Sequence, residues 1–285
     1  MNTFRKTREI LNKYGLTAKK KFGQNFLIDD NILDEISTSA CINDDELIIE
    51  IGPGLGNLTS YLLKKSRYVL LVEIDNNMIE ILNDRFKENT NYSLINEDIL
   101  KVDLDEKISK IEEELSFSFK KVNPDLSNLP YYITTPIIMK LLEEKLNIDS
   151  ITVMVQKEVA DRMVASPKSK DYGILSVMIK YLADAKIIIK VPKEAFIPSP
   201  NVTSSVIKLV KNKKYECDDE EKLFELIHHA FAQRRKKMIN SLESSKFLNL
   251  DKKRIKDAFN KVNLNENVRA EELSIEEFIL LSKEF

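Results

Sequence analysis

Glu50, Glu73, Asp98 and Asn128 are the side chains of this sequence whose types and spacing could act on a nucleoside. Glu50 lies in Leu47-Ile-Ile-Glu-Ile51, whose β-branched composition predicts a buried strand of a parallel sheet. Gly52, Gly54 and Gly56 follow, and then Leu58, Tyr61 and Leu62 at helical spacing. Strand, glycine turn and helix are thereby predicted in succession. Such a turn bends sharply and lets a ligand lie against bare main chain, with the amides of turn and helix facing it. The glycines fall as G-x-G-x-G, not in the dinucleotide spacing G-x-G-x-x-G. Glu50 just ahead of them would repel a pyrophosphate. It suits a nucleoside with a positive centre, such as the sulfonium of S-adenosylmethionine. A tight turn without a ligand is the bland alternative for the glycines taken by themselves.

Glu73 lies near the end of a second apolar run, 68–75. An acid at a strand end about twenty residues past a glycine turn can accept hydrogen bonds from both ribose hydroxyls. Asp75 is assigned instead as a helix N-cap. Asp98 ends a third run, 92–98, where a carboxylate suits the exocyclic amino group of an adenine or serves as a turn residue. In Asn128-Leu-Pro-Tyr131, Pro130 fixes its own φ and keeps Leu129 extended. The Asn128 oxygen and nearby main-chain carbonyls can then point at one spot, with Tyr131 as a flat face beside it. That arrangement would take an amino group on an unstacked aromatic base. A proline loop whose aromatics enter the core is the alternative.

The elements that must position these residues are legible from periodicity. Helices are expected at 5–15, 31–39 and 103–116, and a fourth strand at 117–122, with Asn123-Pro-Asp-Leu-Ser127 intervening before Asn128. A fifth strand at 151–155 and helices at 157–165 and 172–185 follow. Strands at 187–191 and 204–210 suit an antiparallel pair at a sheet edge. Phe196 opens the proline-rich connection between them, either as the second face of an aromatic clamp or as simple packing. After a polar linker at 211–221, helices at 223–242, 252–262 and 274–285 predict a small second domain. Within the first of these, Gln233-Arg-Arg-Lys-Lys237 reads as a cationic helix segment. Together with Lys19, Lys20 and Lys21 it would contact RNA phosphates; a solvated charged face is the alternative.

Composition narrows the class. Charged residues make up 32% and hydrophobic residues 43% of the chain, an ordinary soluble globular balance. A net charge of -2 gives no global argument for nucleic acid, so that case rests on the local patches. The basic start, Met1 to Arg8, has no apolar run behind it and is not a secretory signal. No apolar run is long enough to span a bilayer. Cys41 and Cys217 stand apart, as reduced cytosolic thiols would. The adjacent His228 and His229 point in different directions on a helix, so no metal is expected.

Taken together, Gly23-Gln-Asn-Phe-Leu27, Glu50-Ile-Gly-Pro-Gly-Leu-Gly56, Glu73-Ile-Asp75, Asp98 and Asn128-Leu-Pro-Tyr131 resemble the ribosomal RNA adenine N6,N6-dimethyltransferases. Gln156-Lys-Glu-Val159 with Arg162, Tyr172-Gly-Ile-Leu-Ser-Val177, 196–206, 231–237 and Asn240-Ser-Leu242 narrow the resemblance to the bacterial small-subunit (16S) branch. Relatives that act on 23S RNA and confer macrolide resistance share the first group more than the second. A non-catalytic assembly factor and a nicotinamide dehydrogenase are weaker alternatives, the latter for want of a hydride-site histidine.

The resemblance implies an α/β, Rossmann-like class I methyltransferase domain with a mixed seven-stranded sheet over 1–211. A small all-α, RNA-contacting domain over 212–285 would follow it. It implies S-adenosylmethionine as cofactor, held by Asn25, Leu27, Gly52, Gly54, Glu73, Asp98 and Asn128. Asn128, Leu129, Pro130 and Tyr131 would be the catalytic turn, with Tyr131 and Phe196 stacking on the base. Lys19, Lys20, Lys21, Arg234, Arg235, Lys236 and Lys237 would bind RNA. The implied substrate is two adjacent adenosines near the 3′ end of 16S ribosomal RNA in an assembling 30S subunit, for a cytoplasmic monomer with neither metal nor membrane partner.

Overall fold

The computed structural model describes residues 2–16, 25–41, 43–126, 129, 131–143, 146–212, 214–233, 236–245 and 251–285; of Tyr131 and Tyr132 it describes the backbone. A helix α1 (Thr3–Lys13), a short strand β1 (Phe26–Leu27) and a helix α2 (Asp30–Ala40) precede the main sheet. The strands β2 (Glu46–Ile51), β3 (Tyr68–Glu73) and β4 (Tyr92–Asn96) then alternate with α3 (Thr59–Lys65), α4 (Asn76–Phe86) and α5 (Leu104–Leu115). Next come β5 (Lys121–Leu126), α6 (Tyr131–Glu143), β6 (Ser150–Gln156), α7 (Lys157–Met163), α8 (Ile174–Leu182) and β7 (Ala183–Val191). The strands β8 (Phe196–Ile197) and β9 (Ser204–Lys211) close the series.

The seven-stranded sheet has the order β4-β3-β2-β5-β6-β9-β7, and a separate two-stranded ribbon joins β1 to β8. Strands β4, β3, β2, β5 and β6 run parallel, whereas β9 pairs antiparallel with β6. The sheet is mixed, as expected. Every residue of β2 and β3 is buried, which is why both read as unbroken apolar runs and not as alternating ones. On one side Leu33, Ile36, Leu62 and Leu82 pack in a cluster with Ile48, Val69 and Leu71. Asp29 and Asp75 cap α2 and α4, each side chain accepting main-chain N–H bonds from the first turn; Asp75 is thus the N-cap expected of it.

Strand β5 corrects the expected fourth strand. It runs over Lys121–Leu126, so Asn123-Pro-Asp-Leu is the strand itself and not an insertion before the Asn128 turn. Its polar residues disguised it. Asn123 is buried, donating from Nδ2 to Glu46 at 2.7 Å and accepting at Oδ1 from the Ser150 N–H at 3.1 Å. Pro124 lacks a ladder donor, and the named pairing of β5 with β6 begins only after it, at Asp125 and Leu126.

Two helix boundaries also differ from expectation. The helix expected to 185 stops at Leu182, and β7 begins at Ala183. Ala-Asp-Ala-Lys favours helix by propensity, but pairing at the sheet edge overrides it. The helix expected over 223–242 is two: α9 (Glu220–Phe231) and α10 (Met238–Glu243). Lys236 and Lys237 lie between them, not in a cationic helix segment. Adjacent cations without acids one turn away give a helix no support there.

The chain divides into two compact units, 1–160 with 186–211 and 161–185 with 212–285. The expected division at 211/212 therefore differs in one segment: 161–185 joins the C-terminal helices. Tyr172 donates its hydroxyl to the Leu273 carbonyl at 2.8 Å, and its ring meets Phe231 edge-on. The second unit holds α8, α9, α10, α11 (Lys252–Lys261) and α12 (Ile275–Ser282) around Phe259, Phe278 and Leu226. No helix among the described residues is long and apolar enough to cross a membrane.

Candidate active site

Strand β2 runs into the glycine turn, where Gly52, Gly54 and Gly56 take φ of 70°, 56° and 77°, a region that excludes most side chains. The turn is fastened to the neighbouring strand. The Gly52 N–H donates to the Val72 carbonyl at 2.9 Å, and the Gly54 N–H to Glu73 Oε2 at 3.1 Å. Gly56 sits so close to α4 that a Cβ there would lie 2.6 Å from the Phe86 ring. Thr59 opens α3 and donates its hydroxyl to Glu50 Oε2 at 2.6 Å.

The parallel register brings the expected cofactor acids to one end of the sheet. Ile51 stands beside Val72, and Glu73 beside Asn96; Asn96 Nδ2 donates to the Glu73 carbonyl at 3.0 Å. Asp98 follows two residues on, its Oδ1 accepting from the Leu100 N–H at 3.0 Å. Glu73 is buried and accepts three main-chain N–H bonds, from Gly54, Ile74 and Asp75. Burial still raises its pKa, against the pull of those three bonds. Next to it the Ile74 side chain is 67% exposed, an apolar surface at the mouth of the turn.

Glu50 is 1% exposed, and its Oε1 has no hydrogen-bond partner among the described residues. Asp125 of β5 is its register partner and is equally buried. Burial pushes Glu50 up to about 8, opposed by the Thr59 hydrogen bond and reinforced by the negative charge of Asp125 and then Glu73. Bare main chain at the glycine turn beside the buried Glu73 at the end of β3 fits a nucleoside whose ribose hydroxyls face that carboxylate. The residues present therefore fit S-adenosylmethionine.

The other expected positions fall out as follows. Asn25 and Leu27 lead into and form β1, and Leu27 pairs with Phe196 of β8. Phe196 is 4% exposed and belongs to the same core cluster as Leu27 and Leu33. Leu129 is half-buried ahead of α6, and Tyr131 begins that helix. Asn128, Pro130, Lys19, Lys20, Lys21, Arg234 and Arg235, together with the Tyr131 side chain, lie outside the described residues. Lys236 and Lys237 are exposed, and Lys237 donates to Asn267 Oδ1. Sequence reasoning passed over Asn57, Thr59, Ile74 and Asp125. Only Ile74 had a usable signal, an aliphatic residue placed between two acids where the strand has already ended.

A sheet of this order, with a central strand entering a glycine turn beside a strand that ends in a buried acid, defines a class I S-adenosylmethionine-dependent methyltransferase. The ribosomal RNA adenine dimethylase model matches residues 15–285, and the chain belongs to that family. The family dimethylates adenine in ribosomal RNA with S-adenosylmethionine as methyl donor. The chain is 46% identical to the ribosomal RNA small subunit methyltransferase A of Clostridioides difficile, over 97% of this chain and 93% of that one. It is 46% identical to the protein of the same name from Bacillus pumilus, over 97% and 94%. Among solved structures, a dimethyladenosine transferase from Plasmodium falciparum superposes with a TM-score of 0.74 at 24% identity, covering 90% of this chain and 95% of the other; that likeness speaks for the fold.

Proposed function

We propose that this enzyme methylates N6 of two adjacent adenosines in a hairpin near the 3′ end of 16S ribosomal RNA, acting as a cytoplasmic monomer during assembly of the small subunit. The observation that carries the reading of the site is the glycine turn at the end of β2, tied through the Gly54 N–H to the buried Glu73 at the end of β3. The small-subunit assignment is supported by the relatives named above and by the motifs at 156–162 and 196–206.

S-adenosylmethionine supplies an electrophilic methyl group on a sulfonium. Glu73 takes the ribose hydroxyls, Asp98 the adenine amino group, and Ile74 covers one face of that ring. Gly52, Gly54, Asn25 and Leu27 offer main chain or amide to the remainder, and Asn128 reaches it from the base side. The Asn128 oxygen and a carbonyl of Leu129 or Pro130 accept from the N6 hydrogens of the target base. The N6 lone pair is otherwise delocalised into the ring. Those acceptors favour a pyramidal nitrogen and stabilise the charge that develops on it. Alignment supplies most of the rest. After one transfer a single N–H remains, so the same site acts again.

Tyr131 stacks on the extruded base. Phe196 is proposed as its second face, a role that requires the ring to turn out of its packing beside Leu27. Lys19, Lys20, Lys21, Arg234, Arg235, Lys236 and Lys237 hold RNA phosphates. The test is transfer of radiolabelled methyl groups to undermethylated small subunits, with the modified positions mapped by primer extension. Dimethyladenosine at adjacent positions of the small-subunit RNA is the expected result. Label confined to large-subunit RNA, or none at all, would overturn the proposal.

A further inference from the structure

We infer that Asn57 is a positioning residue for cofactor binding, its one side chain fastening both the Leu27 main chain and helix α1 to the glycine turn. The inference rests on the reading that Leu27 and the turn contact the cofactor. Asn57 directly follows Gly56 and is buried. One N–H of its amide donates to the Leu27 carbonyl and the other to Thr7 Oγ1, each at 2.9 Å. Its Oδ1 accepts from Arg85 Nη1 at 3.1 Å, and the same guanidinium nitrogen donates to the Leu55 carbonyl. Its main-chain carbonyl accepts from the Ser60 hydroxyl in the first turn of α3 at 2.8 Å. Both donors of the amide are thus used, and its partners come from α1, β1 and α4.

The surroundings explain why a polar hub is needed there. Ile10 and Leu11 of α1, with Tyr14 and Leu16, pack on Phe26, Leu55, Met78 and Ile81. The ends of α1 are pinned by Thr3 to Asp30 and by Lys13 and Tyr14 to Asp84. Apolar packing holds α1 against the turn but does not fix its register. Thr7 is fully buried between those pinned ends, and its bond to Asn57 ties the middle of α1 to the glycine turn. The same amide sets the distance from Leu27 to the turn, two stretches far apart in sequence. A carbonyl at Leu27 left without its buried donor would relax away, and the cofactor contacts on both stretches would lose their common frame. Coupling of this kind is reciprocal: bound cofactor should hold α1 in place.

The test uses the full-length protein with Asn57→Ala, Asn57→Asp and Thr7→Val. Affinity for S-adenosylmethionine is measured by calorimetry, KM and kcat by methyl transfer, and Tm by scanning calorimetry. Asn57→Asp keeps an oxygen facing Arg85 while removing the donor to Leu27. Both Asn57 variants should raise Kd and the KM for S-adenosylmethionine about tenfold, the scale of one lost hydrogen bond, with kcat within about twofold. Thr7→Val should raise Kd and make α1 more sensitive to proteolysis, with bound cofactor restoring protection. Folded variants that bind S-adenosylmethionine as tightly as the parent, with only Tm lowered, overturn the inference. A parent protein that binds no S-adenosylmethionine overturns the cofactor reading itself, and the inference with it.

Discussion

Leu27 and Phe196 are register partners in an antiparallel ribbon, although one precedes the main sheet and the other lies between its last two strands in sequence. The ribbon sets Phe26 and Leu27 beside Phe196 and Ile197. It also sets two roles for Phe196 in competition. Phe196→Ala should lower the unfolding free energy by about 3–5 kcal/mol, the cost of an emptied aromatic site, read by urea denaturation. Phe196→Leu should keep most of that stability yet lose about tenfold in kcat/KM for RNA, as loss of a stacking face does. Unchanged kcat/KM in a stable Phe196→Leu protein would leave the ring with packing only.

On the proposed mechanism, Asn128→Ala removes an acceptor that acts on the nitrogen as charge develops there. The kcat for methyl transfer should fall by about 100-fold or more, while affinity for S-adenosylmethionine by calorimetry weakens only a little. Full activity would take Asn128 out of the reaction.

Glu50 gives the fold a pH dependence. Its folded pKa, about 8, is raised above the ordinary carboxylate value by burial. The folded protein therefore holds a proton there that the unfolded chain releases at lower pH. Stability from this group is complete below the unfolded pKa of about 4.5 and is lost as pH rises through 8. Glu50→Gln should match the parent in unfolding free energy near pH 5 and exceed it near pH 8 by a few kcal/mol at most, with Tm following. A parent whose Tm rises steadily over that interval, with the variant following in parallel, would contradict the assignment.

Gly56→Ala joins a positive φ to a Cβ 2.6 Å from the Phe86 ring. Overpacking of this kind costs about 1–3 kcal/mol, and Tm should drop accordingly. Gly15→Ala shares the positive φ but meets no atom within 4 Å, so it should cost less. Equal losses would make the backbone, not the approach of α4, the reason for glycine at 56.

Replacing Lys236 and Lys237 with glutamine should weaken RNA binding and shallow its salt dependence by about one to two counterions. Affinity for S-adenosylmethionine should stay as it was. An unchanged salt slope would assign both residues to the solvated surface.

The parts of the fold that were legible were those where one physical rule acts without competition. Leu47 to Ile51 and Tyr68 to Asp75 could be little other than buried parallel strands, and the glycine spacing together with Glu50 disfavoured a dinucleotide. Asn123-Pro-Asp-Leu126 was misread because its burial is satisfied by Glu46 and Ser150, partners that no local pattern reveals. Ala183 to Lys186 was misread because pairing at the sheet edge defeats helix propensity. Asn57 carried no local signal at all, since its partners Thr7, Leu27 and Arg85 lie on three separate elements.

The interleaving of the two units bears on how the protein can be cut. The segment 161–185 belongs with the C-terminal helices, and Val177, Ile179 and Tyr181 of α8 are buried there. A truncation after residue 211 would retain this helix and discard the α9 and α12 surfaces that shelter it. Such a fragment would carry a greasy flap with no home, prone to self-association. A minimal catalytic piece would have to excise the flap and splice 160 to 186, a redesign and not a simple shortening.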